Sequence, residues 1–326
     1  MLHYYIMKKV DAHIYGDECN PSKGVSNAYD TKEHAIKQPM LCIVSGTRNS
    51  GKSFLISKMI KEASKNNTFD EVFIITPSML SNISYFGPFV PDENVYKPTA
   101  GCIERVLARV DELRDEWEEF LQEMEEWNEF MRIIKGEDTF TDEMLFRFHD
   151  YGYLEGIPPR PVWKYKAERP PQPCLILDDC LGSRVLLESS GLARRTALGM
   201  AVIVATQSYC SRNGIPRLMR ENCTTLILVG AMKHEAQLKK VAEELSGNID
   251  GDEFIQAHSY ATKKRYGSLA IEFFPDCATR TFRHNLGSYL VFPSQEAECV
   301  CKSKPKMKRM VVEKIKEDAD KDATTP

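Results

Sequence analysis

Eight residues, Gly46-Thr47-Arg48-Asn49-Ser50-Gly51-Lys52-Ser53, carry the clearest chemistry in the chain. Two glycines separated by four residues let backbone N–H groups turn inward around phosphate oxygens. A helix starting near Lys52 would add the partial positive charge of its N-terminus. Lys52 would then reach the β- and γ-phosphates of ATP, and the Ser53 hydroxyl would ligate Mg²⁺. Such a loop needs a buried strand before it and an amphipathic helix after it. Met40 to Val44 supplies the first, and Leu55, Ile56, Met59 and Ile60 on one helical face supply the second.

Two further strand ends carry polar groups. In Cys174-Leu175-Ile176-Leu177-Asp178-Asp179, four apolar residues lead into two carboxylates, a costly place for charge unless a cation or a water needs it. Asp178 is the candidate for holding the Mg²⁺ water shell, and Asp179 for polarising the attacking water. Ala201 to Val204 runs similarly into Ala205-Thr206-Gln207. If that strand lies between the loop strand and the Asp strand, Gln207 can sense the γ-phosphate or orient water. Arg194, Arg195, Arg212, Arg217 and Arg220 surround this strand. A guanidinium entering a neighbouring subunit's site stabilises charge on a transferred phosphoryl group. Surface or DNA-facing roles are the alternative for most of the five.

The elements that must position these groups can be read from the apolar pattern. Buried runs at 72–75, 174–177, 201–204 and 226–229, separated by helical stretches, imply an α/β fold with a mainly parallel sheet covered by helices. Helices are expected at about 233–246 and 252–264, and a further strand near 269–274. Between Ile103 and Ile134 apolar residues recur every three or four positions, the pattern of one long helix. That helix is either an insertion packing on its own domain or a contact to another protomer or partner. Deleting residues 104–134 is expected to leave a soluble ATP-binding core but to weaken assembly. The organisation expected is a leader over 1–38, a core domain over 39–301 with an acidic helical insertion at about 101–150, and a charged tail over 302–326.

The net charge is −4, but residues 104–143 hold fifteen acidic and five basic side chains, leaving +6 on the remainder. The remainder can approach a polyanion; the acidic segment cannot. No run approaches the ~20 apolar residues of a membrane-spanning helix. The ten cysteines include no CxxC pair and read as reduced, mostly buried thiols.

The motif order resembles the FtsK–HerA group of P-loop ATPases. It comprises the phosphate loop, Leu-Ile-Leu-Asp-Asp, Ala-Arg-Arg-Thr-Ala-Leu-Gly-Met-Ala-Val-Ile-Val-Ala-Thr-Gln-Ser, and Ile-Pro-Arg-Leu-Met-Arg-Glu-Asn. Within that group the poxvirus-type genome-packaging ATPases of large nucleocytoplasmic DNA viruses are most similar, over roughly residues 38–75 and 172–230. The resemblance implies a RecA-like core and an ATP-hydrolysing motor that moves double-stranded DNA. It implies a hexameric or other ring docked on a capsid portal or vertex component, in the host cytoplasm and the virion. It assigns a transition-state arginine to Arg194 or Arg195, and another to Arg220 with Asn222. A helicase-like remodeller and a scaffold NTPase that ignores DNA are the competing readings.

Overall fold

The computed structural model describes residues 8–11, 36–78, 85–137, 141–150, 152–153, 156–180, 182–192, 199–210, 215–232, 235–247 and 249–298. The tail and most of the leader lie outside them.

Ten strands form one sheet among the described residues, in the order β1-β10-β9-β8-β7-β2-β6-β5-β3-β4. They are β1 (Lys8–Asp11), β2 (Leu41–Ser45), β3 (Glu71–Ile75), β4 (Val95–Tyr96), β5 (Pro173–Asp178), β6 (Ala201–Thr206), β7 (Thr225–Val229), β8 (Ser268–Glu272), β9 (Phe282–His284) and β10 (Ser288–Val291). The six strands from β7 to β4 in this order are parallel. The four from β8 outward are antiparallel. Every strand read from the apolar pattern is present within one or two residues. Four more were not anticipated: β4, β9 and β10, and β1, which lies within the stretch read as leader and pairs with β10.

Alternation along the strands builds two cores. Leu41, Ile43, Phe73, Ile75, Leu175 and Leu177 point to one face. Met40, Cys42, Val44, Val72, Ile74, Cys174 and Ile176 point to the other. Helix α1 (Lys52–Lys65) covers the second face through Ile56, Met59 and Ile60. The first face is covered by α2 (Cys102–Ile134), α6 (Glu235–Leu245) and α7 (Gly251–Ala261). The remaining helices are α3 (Asp142–Asp150), α4 (Arg184–Glu188), α5 (Arg217–Glu221) and α8 (Pro293–Glu298).

The long acidic helix divides into two parts. Cys102, Ile103, Val106 and Val110 belong to the main core, so its beginning covers the sheet and packs on its own domain, the first of the two readings above. The distal part packs on its own chain: Trp117 and Phe120 meet Trp163, and Phe130 meets Phe148 and Tyr153. Trp127 Nε1 donates to the Pro158 carbonyl at 3.1 Å. Arg109 ties the two parts to the sheet through Glu71, at 2.9 Å, and Glu116.

No described helix is long and apolar enough to cross a membrane. Cys42, Cys102, Cys174, Cys180, Cys210 and Cys223 are free thiols. Cys277 is disulfide-bonded, which corrects the expectation of reduced cysteines at that position.

Candidate nucleotide site

The strand β2 ends at Ser45 and the chain turns through the phosphate loop into α1. Asn49 (φ 61°) and Gly51 (φ 100°) both take left-handed backbone, which Gly and Asn accept at least cost. Gly46 is required for a different reason. A Cβ there would stand 2.5 Å from the Val229 carbonyl oxygen and 2.6 Å from Ser50 Oγ. Gly46 N–H donates to the Thr206 carbonyl at 3.1 Å, which fastens the loop to the end of β6. No side chain caps α1 at Gly51, so the N–H groups of its first turn are left for an anion.

Lys52 Nζ donates to the carbonyls of Gly46, at 2.8 Å, and Thr47, at 3.0 Å, and so arches back over the loop. Burial lowers its pKa, while Asp179 and Asp178 oppose that shift. An ammonium held by loop carbonyls near two carboxylates is placed to exchange those contacts for phosphate oxygens. Ser53 Oγ donates to Asp178 Oδ2 at 3.3 Å, across 125 residues of sequence. A hydroxyl beside a buried carboxylate oxygen is the hard-oxygen donor set that Mg²⁺ prefers. Ser50 Oγ is buried without a hydrogen-bond partner at the same turn, a polar group that a bound phosphate would satisfy.

The order β2-β6-β5 puts one strand between the loop and the carboxylates, as Gln207 required. Gln207 Nε2 donates to Asp179 Oδ1 at 3.0 Å. Asp179 is exposed and left-handed at φ 53°, so its carboxylate turns away from the buried Asp178 toward Gln207. A cavity of about 230 Å³ adjoins the loop, bounded by Thr47, Gln207, Ser208, Gly230 and Gln237.

The structure therefore brings together Gly46 to Ser53, Asp178, Asp179 and Gln207. Arg194, Arg195 and Arg212 lie outside the described residues. Arg217 is a surface residue paired with Glu221. Arg220 is held inside its own chain: Nε meets Glu244 at 3.1 Å, a terminal nitrogen donates to the Ile215 carbonyl at 2.8 Å, and the guanidinium covers Tyr209. Asn222 donates to the Leu218 carbonyl at the end of α5. Two neighbours of the loop were missed in the sequence. Gly230 (φ 78°) follows β7 much as Gly46 follows β2, and that strand-then-glycine pattern was a usable signal. Tyr266 lies against Gly51 and had no sequence signal at all.

No protein-family model and no curated protein matches the chain. Among solved structures, it is similar to the genome packaging NTPase B204 from Sulfolobus turreted icosahedral virus 2 in complex with ATP-gammaS, at 14% identity and a TM-score of 0.38, over 76% of this chain and 96% of that one. It is also similar to EssC (ATPases 2 and 3) from Geobacillus thermodenitrificans, at 14% identity and a TM-score of 0.39, over 78% of this chain and 39% of that one. The cytoplasmic domain of the Thermomonospora curvata type VII secretion ATPase EccC gives 14% identity and a TM-score of 0.34, over 77% of this chain and 25% of that one. The chain's own strand order and loop geometry make its core a RecA-like P-loop α/β fold, with one strand inserted between the phosphate loop and the acidic strand.

Proposed function

We infer that the chain is an ATP-driven motor that translocates double-stranded DNA into a viral capsid, hydrolysing ATP to ADP and phosphate. The observation that carries the ATPase part is the convergence at one sheet edge of Lys52, the Ser53–Asp178 pair and the Asp179–Gln207 pair. Lys52 and the loop N–H groups hold the β- and γ-phosphates. Ser53 and Asp178 would hold Mg²⁺, which would supply neutralisation of charge on the phosphates. Asp179, oriented by Gln207, accepts a proton from the attacking water. The DNA part rests on the FtsK–HerA-like motif order and on the charge of +6 outside the acidic segment. A ring of subunits, with an arginine from one completing the site of the next, accounts for the arginines around β6.

The test is ATP turnover with and without duplex DNA. Turnover should rise with duplex of any sequence and fall steeply with salt, because phosphate contacts release counterions. The protein should also displace a roadblock from duplex DNA without producing single strands. Strand separation would replace the motor with a helicase, and turnover indifferent to DNA would leave a scaffold NTPase.

A further inference from the structure

Two large aromatic side chains are left in solvent beside the phosphate loop. Phe54 is 63% exposed and Tyr266 is 55% exposed. Phe54 follows the loop directly and lies three residues after Gly51, which puts the two positions on one face of the helix start. Tyr266 reaches the same glycine from the turn that precedes β8: its Cδ1 lies 3.4 Å from where a Gly51 Cβ would stand. Tyr266 thus borders the glycine from which the phosphate-facing helix begins, and Phe54 projects into solvent from the first turn of that helix.

The chain is built to hold Tyr266 there. Its φ of 64° is left-handed, an outlier for a bulky side chain that persists only where surroundings enforce it. The enforcement is next door. Gly267 donates to the Lys264 carbonyl at 2.9 Å and accepts from Gly230 N–H at 2.8 Å, locking the turn to the end of β7. A Cβ on Gly267 would stand 2.2 Å from the Ala261 carbonyl oxygen, so the turn fits only glycine. The Arg265 guanidinium lies over the Tyr266 ring, 4.8 Å from its centroid, and steadies one face while the ring remains more than half exposed.

A strained backbone that presents a ring to water contributes nothing to the core. A flat aromatic ligand would make use of it. We propose that Phe54 and Tyr266 form the base-stacking platform of this site, taking the purine ring of a nucleoside triphosphate whose phosphates occupy the loop. The assignment rests on the nucleotide reading above and extends it from the phosphates to the base.

The test compares ATP with inorganic tripolyphosphate, which has the phosphates without the base, by calorimetric titration of the full chain with Mg²⁺. Tyr266→Asn is the informative variant, since asparagine accepts left-handed backbone and removes only the ring. It should weaken ATP by about tenfold, in the range of base–aromatic stacking, with tripolyphosphate within twofold of the wild type. Phe54→Ala should act in the same sense, and Tyr266→Phe should bind ATP as the wild type does. The platform is overturned if both ring-removing variants bind ATP normally, or if tripolyphosphate weakens in parallel with ATP, which would make Tyr266 a prop for the loop. Equal wild-type affinity for ATP and tripolyphosphate also overturns it while leaving the phosphate site intact. A wild type that binds neither sinks the nucleotide reading itself.

Discussion

Lys52 and Asp179 sit within one site, and the roles proposed for them belong to different stages, binding for one and turnover for the other. Lys52 is bound to loop carbonyls that a phosphate would replace, so the role proposed for it is in binding. Asp179 accepts from Gln207 at 3.0 Å and reaches Lys52 through its charge, so the role proposed for it is in turnover. Lys52→Ala should therefore lose tight ATP binding. Asp179→Asn should bind ATP within a few-fold of the wild type and lose about 10²-fold or more in turnover, the range for a positioned general base. Wild-type turnover in Asp179→Asn would remove it from the chemistry. Gly46→Ala should abolish binding through geometry alone, because its methyl would meet the Val229 carbonyl oxygen at 2.5 Å. These residues were legible in the sequence because their chemistry is fixed by close neighbours, a strand before and a helix after. The Ser53–Asp178 bond spans 125 residues and was still readable, since each partner marks the end of its own buried strand or loop. The Arg220–Glu244 pair was not, because nothing in either segment announces that the other lies beside it.

Among the elements, α2 shows that a regular apolar pattern can locate a helix without saying what each turn faces. Apolar spacing of three and four located the helix to within one residue, at 102–134 against 103–134. It could not say which turns face the sheet. Leu113 is fully buried and Ile134 is 47% exposed, although both lie in the same periodic run, and Leu121, which lies off it, is also 47% exposed. Leu113→Ala should cost about 2–4 kcal/mol and Leu121→Ala less than about 0.5 kcal/mol by urea denaturation. Deleting 104–134 should remove cooperative melting, since Val106 and Val110 leave the core with it. The strands β9 and β10 escaped notice because three or four residues give too little alternation to stand out. Helix α7 adds a pH dependence. His258 is buried with Nε2 unpartnered, and burial lowers its pKa to about 4. The unfolded chain takes up a proton near 6.5 and the folded one does not, so stability contributed by neutral His258 falls as pH drops from about 6.5 toward 4. Thermal melts across that range should show the decline, and His258→Leu should flatten it. An unchanged slope in the variant would assign the decline to other groups.

At the scale of the whole molecule, the sequence posed one condition on the sheet, a single strand between the phosphate loop and the acidic strand, and β6 meets it, while the order of the other strands was not legible. The assembly is another matter, since a site completed from outside leaves few marks on the chain that waits for it. Arg220 is 19% exposed and already paired, so a role in a neighbouring site requires Glu244 to release it. Glu244→Ala separates the two possibilities. Release should leave turnover unchanged or raise it, whereas a purely structural Arg220 would lose turnover along with stability when its partner is removed. For Arg194 and Arg195 the decisive measurement is mixing. The double variant with both changed to Ala should bind ATP nearly as tightly as the wild type and lose most turnover, because the missing group stabilises only the transition state. Combined with Lys52→Ala, which has intact arginines and a failed loop, it should regain activity. A mixed ring then contains interfaces where an intact loop meets an intact arginine. Recovery should peak near equal proportions and vanish when either variant is in large excess. No recovery at any ratio would place the arginines in their own subunit's site and remove the reason for a ring.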